Sequence, residues 1–172
     1  GYCALMFDLK GKHALIFGVA SEESIAWAIA KKLHAAGAII SLGYQQRLKS
    51  RILQLVKGGE VPVELYERCD VTSEAELNHF FGQIERPVDI LVHSIAYANP
   101  ETFGQRISQI GQEDFATALV TSSYSLIPLT RHAVPKMSPS ASIMAMTYLG
   151  GQRVVANYKL MGIAKAALDA TV

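Results

Sequence analysis

The sequence predicts an α/β protein built on a doubly wound parallel sheet. Five short apolar segments alternate with five amphipathic stretches, an order typical of parallel strands with helices on both faces. The fourth apolar segment, residues 88–92, is almost wholly hydrophobic, as expected for a strand that is covered on both faces. Right-handed crossovers then place a ligand site beyond the carboxyl ends of the strands.

The strands follow from the apolar segments and the breaks around them. Gly18 ends the first segment, and Pro62 near the start of the third indicates a strand at an edge of the sheet. Strands are predicted at residues 13–17, 38–43, 61–68, 88–92 and 141–146.

The helices follow from side-chain periodicity and from end signals. The first helix carries a predicted buried stripe of Ile25, Ile29, Leu33 and Ala36, and Gly37 stands where a helix-terminating glycine is expected. Helices are predicted over residues 24–36 and 45–57, from the capping-box pair Ser73 and Glu76 through about Ile84, within 111–137 with kinks or breaks at Pro128 and Pro135, and from residue 157 onward.

Composition excludes several classes of protein. The chain has 172 residues, a formal net charge of +1, 50% hydrophobic residues and 18% charged residues, which argues against disorder. The near-neutral charge gives no electrostatic reason to expect nucleic acid or an anionic membrane as partner. Two cysteines, Cys3 and Cys69, form neither a disulfide framework nor a metal cluster, so we expect no metal and a reduced, cytoplasmic setting.

The turn after the first strand, residues 18–26, is a candidate phosphate-binding segment. A glycine such as Gly18 lets the backbone turn tightly and approach a phosphate, and the positive end of the next helix favours an anion. The glycine triplet of the common dinucleotide fingerprint is absent, so a plain strand–helix turn is an equal alternative. Glu22 and Glu23 would oppose a phosphate, and we therefore expect both to face solvent.

Polar residues follow three other strands. Gln45 would hydrogen-bond an adenosine, and Arg47 would instead meet a 2′-phosphate, although a solvated helix start explains both residues as well. Asp70 would read an adenine edge, but a helix-entry cap is the favoured interpretation, and we expect Cys69 to be a buried small residue. His93 ends the fourth strand and is not assigned to catalysis, because a histidine at a strand end is more often structural.

Tyrosine and lysine near the carboxyl end form the candidate catalytic pair. Tyr158 and Lys165 are seven residues apart, which places them on one helix face about 10.5 Å apart along the axis. A lysine that reaches back toward the tyrosine would stabilise phenolate and lower the tyrosine pKa. Tyr148 follows the fifth strand at the same end of the sheet. A chain with 7 tyrosines shows such spacings by chance, so the pair alone does not establish a site.

Together these segments closely resemble the bacterial enoyl-[acyl-carrier-protein] reductases of the short-chain dehydrogenase/reductase superfamily. Ordinary members of that superfamily carry Tyr-x-x-x-Lys, but Met161 stands four residues before Lys165 here. The enoyl reductases use Tyr-x6-Lys, which Tyr158 and Lys165 satisfy. The matching segments run from Met6 to Val172 in the family's order: Gly18-Val19-Ala20-Ser21, Ser24-Ile25-Ala26, Gln45, Cys69-Asp70-Val71, Val92-His93-Ser94-Ile95, Ser122-Ser123-Tyr124-Ser125, Tyr148-Leu149-Gly150, Asn157-Tyr158, Met161-Gly162 and Ala164-Lys165-Ala166.

The resemblance implies a Rossmann-like fold and an activity. The family reduces trans-2-enoyl thioesters on acyl carrier protein with NADH, the last step of each fatty-acid elongation cycle. It implies that Lys165 holds the nicotinamide ribose and that Tyr158 donates a hydrogen bond to the thioester carbonyl. The implied catalytic residues are Tyr148, Tyr158 and Lys165, the implied substrate contacts are Ala98, Tyr148, Tyr158 and Met161, and the implied NAD contacts are Gly18, Ser24, Ile25, Gln45, Asp70, Val71, Ser94, Ile95 and Lys165.

The resemblance also sets expectations about extent and partners. Residues 6–172 are expected to form a single NAD-binding domain, truncated after the fifth strand and the following helix, with residues 1–5 upstream and non-native. The fifth strand would then be an open sheet edge, and this chain alone would be poorly soluble and inactive. Acyl carrier protein and a homotetramer are the implied partners, with no nucleic acid and no membrane. Ala96, where the family has glycine, would crowd or shift the nicotinamide.

Three alternatives stay open at this point. The cofactor would be NADPH if Arg47 met a 2′-phosphate, although NADH is favoured. The enzyme would be a related short-chain reductase acting on another carbonyl or enoyl substrate. The chain would be a nucleotide-binding or subunit-interaction module without catalysis.

Overall fold

The computed structural model describes residues 7–172. The expectations for residues 1–5, with Cys3 among them, and for Met6 as the natural start lie outside the described residues. No helix in residues 7–172 is both long enough and apolar enough to cross a membrane.

A five-stranded sheet positions the candidate site. Its strands are β1 (His13–Phe17), β2 (Ile39–Tyr44), β3 (Val63–Arg68), β4 (Val88–His93) and β5 (Met137–Ala145), in the order β3-β2-β1-β4-β5. β1 pairs in parallel with β2 and β4, and β2 pairs in parallel with β3. The doubly wound parallel sheet is thus confirmed. Phe17 and His93 are register partners, so the strand order reverses beside the carboxyl ends of β1 and β4.

Both outer strands behave as expected for sheet edges. β3 follows Pro62 and forms one edge, as the proline predicts. β5 forms the other edge and begins at Met137, earlier than the predicted residue 141. The additional segment contains Pro139, whose missing N–H is tolerated on an edge strand.

Within residues 7–172, six α-helices accompany the strands, and their end signals act as the sequence indicates. The Ser73 hydroxyl accepts a hydrogen bond from the Glu76 N–H at 3.3 Å, and Gly59 takes a left-handed conformation with φ of 71° after the second helix. The helices are α1 (Ile25–Ala35), α2 (Lys49–Gly58), α3 (Glu74–Gly82), α4 (Gln112–Leu119), α5 (Leu126–Ala133) and α6 (Lys159–Thr171).

The buried face of α1 differs from the predicted stripe. Ala26, Trp27 and Ala30 are its buried residues, whereas Ile25 is 62% exposed. Ile29 and Leu33 only pack against the core from its margin. The buried face thus consists of Trp27, the largest fully buried side chain, and two alanines, which a search for a stripe of large aliphatic residues passes over.

Of the two predicted breaks in the long helical stretch, the one at Pro135 is confirmed, because α5 ends at Ala133, whereas the other lies before Pro128. A π-helical turn, Val120–Tyr124, separates α4 from α5, and the Ser125 N–H bonds the Val120 carbonyl at 3.0 Å. Pro128 then falls in the first turn of α5, where its missing N–H has no intrahelical acceptor to lose. The widened turn thereby replaces the kink expected at the proline itself.

By its internal contacts the chain divides into two compact units. The first unit runs up to Ser94 and includes His132–Met144; the second consists of Ile95–Arg131 and Ala145–Val172. The first has a core on the sheet that includes Trp27, Ile40 and Ile52. The second has a smaller core of Ala98, Ala118, Leu160, Met161 and Ala164. The single domain over residues 6–172 stays a prediction.

Candidate cofactor and catalytic residues

Gly18 in the first unit occupies a position that only glycine fits. Its φ is 116°, and a Cβ added there would lie 1.8 Å from the carbonyl oxygen of Ser94. The Ser94 N–H in turn donates to the Phe17 carbonyl at 2.9 Å, which fixes this neighbouring backbone. The absence of a side chain therefore lets the backbones that leave β1 and β4 run side by side at the edge where such sheets bind ligands.

Ser24 shapes the turn that leads into α1. Its hydroxyl oxygen accepts from the N–H groups of Ala20 and Ser21 at 2.9 and 2.7 Å, and its O–H donates to the Ser21 carbonyl. The first turn of α1 has neither a side-chain cap nor an acidic residue, so its positive end is not neutralised locally. Glu22 and Glu23 are exposed, as expected. The first turn of α1 thus presents no acidic side chain, and Ile25 is exposed beside it.

The polar residues after β2 and β3 already have partners within the chain. Gln45 Oε1 accepts from Arg47 Nε at 2.9 Å. Asp70 Oδ1 accepts from both the N–H and the hydroxyl of Thr72, at 2.9 and 2.7 Å, so Asp70 caps the turn before α3 as the favoured interpretation held. The second carboxylate oxygen and the adjoining backbone are the parts of this segment that a ligand would use.

Buried residues at the same strand ends have structural roles. Cys69 is 2% exposed, and burial raises the pKa of its thiol to about 12, so it is an inert small residue as predicted. Val71 is 2% exposed and His93 is fully buried, which agrees with a structural histidine at the end of β4. Ser94 and Ile95 are partly buried. Ser94 belongs to the first unit, and Ile95 is the first residue of the second unit.

Two tyrosines meet in the second unit. The rings of Tyr148 and Tyr158 lie with centroids 4.7 Å apart and planes inclined at 68°, an edge-to-face pair. Tyr158 immediately precedes α6, and Tyr148 stands 47% exposed before a short 3₁₀ turn, Leu149–Gly151. This pairing of two phenols could not be derived from their spacing of ten residues.

Lys165 is the buried cation of the second unit. It is 6% exposed, and its Nζ donates to the Met146 carbonyl at 2.8 Å. Burial lowers the pKa of Lys165, and the negative charge of Asp169 one turn later partly offsets that effect. This hydrogen bond therefore ties the Lys165 ammonium to the segment that leads into Tyr148.

The expected influence of Lys165 on Tyr158 is not found. Burial raises the pKa of Tyr158, and the neighbouring Tyr148 raises it further, whereas the sequence argument predicted a lower value. The prediction was wrong because the Lys165 ammonium donates to the Met146 carbonyl and the Tyr158 ring packs against the Tyr148 ring. Tyr158 is consequently a protonated hydrogen-bond donor at neutral pH.

Two glycines that support Tyr158 were missed as functional positions. A Cβ on Gly150 would lie 2.2 Å from Cδ1 of the Tyr158 ring, and a Cβ on Gly162 would lie 2.7 Å from the Gly150 carbonyl oxygen. Both glycines stand in segments that carry the family resemblance. Their spacing in the sequence does not show that both lie next to the Tyr158 ring. Glycine at both positions lets the 3₁₀ turn pack closely on α6.

The implied substrate residues sit beside this arrangement. Ala98 and Met161 belong to the small core of the second unit, at 5% exposure each, and Tyr158 packs against that core. Ala96, which replaces the family's glycine, has an exposed side chain. Its effect on a nicotinamide stays a prediction.

Comparison with known proteins identifies the family. A sequence model described as enoyl-(acyl carrier protein) reductase matches residues 18–172. A curated enoyl-[acyl-carrier-protein] reductase [NADH] from Nostoc sp. is 38% identical, and the match covers 97% of this chain and 67% of that protein.

Solved structures agree with the sequence comparison. The enoyl-acyl carrier protein reductase of Bacillus cereus, crystallised with NADP+ and an indole naphthyridinone, superposes with a TM-score of 0.91 at 37% identity, over 97% of this chain and 66% of that one. The enzyme of Anaplasma phagocytophilum in complex with NAD superposes with a TM-score of 0.89 at 32% identity, over 95% of this chain and 64% of that one. The chain thus spans about two thirds of the length of these relatives. It has a Rossmann-like α/β fold, and it belongs to the enoyl-[acyl-carrier-protein] reductase family of oxidoreductases.

Proposed function

We propose that this protein is an NADH-dependent enoyl-[acyl-carrier-protein] reductase that reduces trans-2-enoyl thioesters in fatty-acid elongation. The observation that carries the proposal is the second unit's arrangement of Tyr148 against Tyr158, with Lys165 buried on the helix that Tyr158 precedes. The Tyr-x6-Lys spacing separates this arrangement from that of ordinary carbonyl reductases, because Met161 stands at the position where they carry tyrosine.

The first unit supplies groups suited to the adenosine and pyrophosphate of NADH. The Gly18 turn has no Cβ to obstruct a phosphate, and the first turn of α1 contains no acidic residue, while Glu22 and Glu23 before it are exposed. Ser24 holds that turn, Ile25 offers apolar contact to the adenosine, and Gln45, Asp70, Val71, Ser94 and Ile95 complete the proposed contacts. When bound, the reduced nicotinamide supplies the hydride that saturates the enoyl double bond.

Tyr158 is proposed to stabilise the charge that develops on the thioester oxygen. Its phenol stays protonated because burial and Tyr148 raise its pKa, so it can donate to the carbonyl as enolate character develops there. A donor that is already in place and partly shielded from water favours that charge without reorganisation. Tyr148 restricts the position of the Tyr158 ring through the edge-to-face contact.

Lys165 and the small core are proposed to orient the reactants. The Lys165 ammonium has three donor hydrogens, and one of them is used by the Met146 carbonyl, which leaves donors for the nicotinamide ribose hydroxyls. Tyr148, Met161 and Ala98 would line the acyl pocket. Apolar residues there suit an acyl chain and exclude water from the developing enolate.

The test is NADH oxidation with crotonyl thioesters by this protein, together with equilibrium binding of NADH to it. Tyr158→Phe should lower kcat about 100-fold while changing NADH affinity little, a loss comparable to that of one oxyanion-hole donor. The control Tyr66→Phe changes a tyrosine on β3 and should leave kcat unchanged. The proposal fails if no enoyl thioester is reduced, or if Tyr158→Phe keeps the full kcat.

NADH rather than NADPH is proposed as the cofactor. Arg47 is the cation that would meet a 2′-phosphate, but its Nε is bound to Gln45 in this structure. We expect NADH to bind at least tenfold tighter than NADPH, and Arg47→Ala to change the NADH affinity little. Tighter NADPH binding that is lost in Arg47→Ala would reverse the assignment.

Acyl carrier protein is the proposed substrate carrier, a homotetramer the proposed assembly and the cytoplasm the proposed location. The family's reaction supports the carrier, and two cysteines in 172 residues fit a reducing compartment. Self-association is supported by large apolar side chains that are 40% to 49% exposed on α4, the π-helical turn and α5: Phe115, Val120, Tyr124 and Ile127. Sedimentation should show tetramers that dissociate in Phe115→Asp; a wild-type monomer would contradict the assembly.

A further inference from the structure

Asp169 in the second unit has contacts that the proposed mechanism does not use. Its Oδ1 accepts a hydrogen bond from the Thr147 hydroxyl. One helical turn earlier, Lys165 donates to the carbonyl of Met146 at 2.8 Å. Two side chains of α6 thus hold two consecutive residues of the segment that leads directly into Tyr148.

The neighbouring backbone is shaped for this contact. A Cβ added to Gly151 would lie 3.2 Å from Asp169 Oδ2 and 2.9 Å from the Ala166 N. The 3₁₀ turn that follows Tyr148 therefore also lies close to α6. Residues on both sides of Tyr148 are fixed to the helix, and its ring is held against Tyr158.

We propose that Asp169 is a positioning residue, which through Thr147 fixes the segment carrying Tyr148 to α6 and so sets the Tyr148–Tyr158 pair. The inference deepens the proposed function, since it assigns Asp169 and Thr147 to the reaction. Asp169 itself touches neither tyrosine ring and acts through Thr147 and Lys165.

The charge of Asp169 has a second consequence. Within the described residues, Asp169 is the charged group that acts on Lys165; from the segment before Tyr148 the ammonium meets the uncharged Met146 carbonyl. Asp169 raises the Lys165 pKa against the larger lowering effect of burial. The carboxylate therefore keeps Lys165 charged over a wider pH range, which matters if Lys165 binds the cofactor.

Three variants separate the positioning role of Asp169 from its electrostatic role. Thr147→Val removes the hydroxyl at nearly constant volume, and Thr147→Ser restores it. Asp169→Asn keeps an acceptor oxygen for Thr147 but removes the charge. All are made in the 172-residue chain, and circular dichroism verifies that each folds.

The first readout is spectroscopic and independent of the cofactor. An edge-to-face pair shifts the ring-proton resonances of one tyrosine through the ring current of the other, and Tyr148→Phe assigns them. Thr147→Val should lose most of that shift, whereas Thr147→Ser and Asp169→Asn should retain it. An unchanged shift in a folded Thr147→Val protein overturns the positioning role.

The second readout is the pH profile of NADH affinity. In Asp169→Asn the affinity should fall at a lower pH than in the wild type, because Lys165 loses its proton earlier without the nearby carboxylate. Thr147→Val should leave that midpoint unchanged, and an unmoved midpoint in Asp169→Asn overturns the electrostatic role. If the wild type binds no NADH, the cofactor contacts proposed for this chain fail, while the ring shifts still decide the positioning role.

Discussion

Gly18→Ala is the substitution whose effect the structure defines most sharply. The new methyl would be placed 1.8 Å from the Ser94 carbonyl oxygen, far inside van der Waals contact. The obstructing atom belongs to the backbone, and the Ser94 N–H is bound to Phe17, so a rotamer change cannot relieve the overlap. The φ of 116° is in addition a conformation that residues with a Cβ rarely adopt.

The expected cost combines two contributions. Holding a non-glycine residue at such a φ costs about 1–3 kcal/mol. Forcing the strand ends apart resembles overpacking a core, which adds about 1–3 kcal/mol or somewhat more. We therefore expect the free energy of unfolding to fall by about 2–6 kcal/mol, a large part of the roughly 5–15 kcal/mol of a typical domain.

Urea unfolding followed by Trp27 fluorescence measures this cost. Trp27 is the only tryptophan, it is fully buried, and it belongs to the same core as Val19, so it reports on the unit that contains Gly18. Gly58→Ala is the matched control, because that glycine is helical and has no atom within 4 Å of the added Cβ. The control should be stabilised by about 0.5–1 kcal/mol. A Gly18→Ala protein within about 1 kcal/mol of the wild type would refute the argument from close backbone packing.

Three further predictions concern the site and the core. Gly150→Ala places a Cβ 2.2 Å from the Tyr158 ring and should lower kcat at least tenfold with little change in NADH affinity, whereas Gly104→Ala, with open space around its Cβ, should leave kcat unchanged. Burial lowers the pKa of His13 below its ordinary value of 6.5. The contribution of the neutral His13 to the free energy of unfolding is therefore fully present above pH 6.5 and is lost as the pH falls through the lower pKa of the folded state. Urea melts across that pH range should show a flatter dependence of the free energy of unfolding on pH in His13→Asn. Ile52 is fully buried, and Ile52→Ala should cost about 2–5 kcal/mol in the same melts; a smaller loss would mean that the core closes over the space.

The pattern of strands and turns was predictable because it depends on local chemistry. A proline near the start of a strand, such as Pro62, indicates an edge strand, because proline has no N–H to donate. Ser73 caps a helix because its hydroxyl reaches only the next few amides. The buried face of α1 was not predictable in this way. Which side of that helix meets the sheet depends on tertiary packing, which buries Ala26, Trp27 and Ala30.

The candidate site likewise has features that the sequence predicts and features that depend on the tertiary structure. The Tyr-x6-Lys spacing is a property of the sequence, and it identified Tyr158 and Lys165. The direction of the Tyr158 pKa was not predictable, because it depends on which groups surround the phenol and where the Lys165 ammonium binds. The spacing fixes a helix face, but a long lysine side chain can turn to any nearby acceptor.

The sequence by itself thus determined the alternation of strands and helices and the parallel sheet, since these follow from periodicity and from turn residues, and its motifs carried the resemblance to a reductase family. Only the tertiary structure decided that Tyr148 lies against Tyr158, that Gly150 and Gly162 leave room for that ring, and that Asp169 accepts a hydrogen bond from Thr147. The physical reason is distance along the chain. Residues 8 to 22 positions apart meet only when a turn packs onto a helix, and that packing depends on volumes and angles that no local pattern encodes.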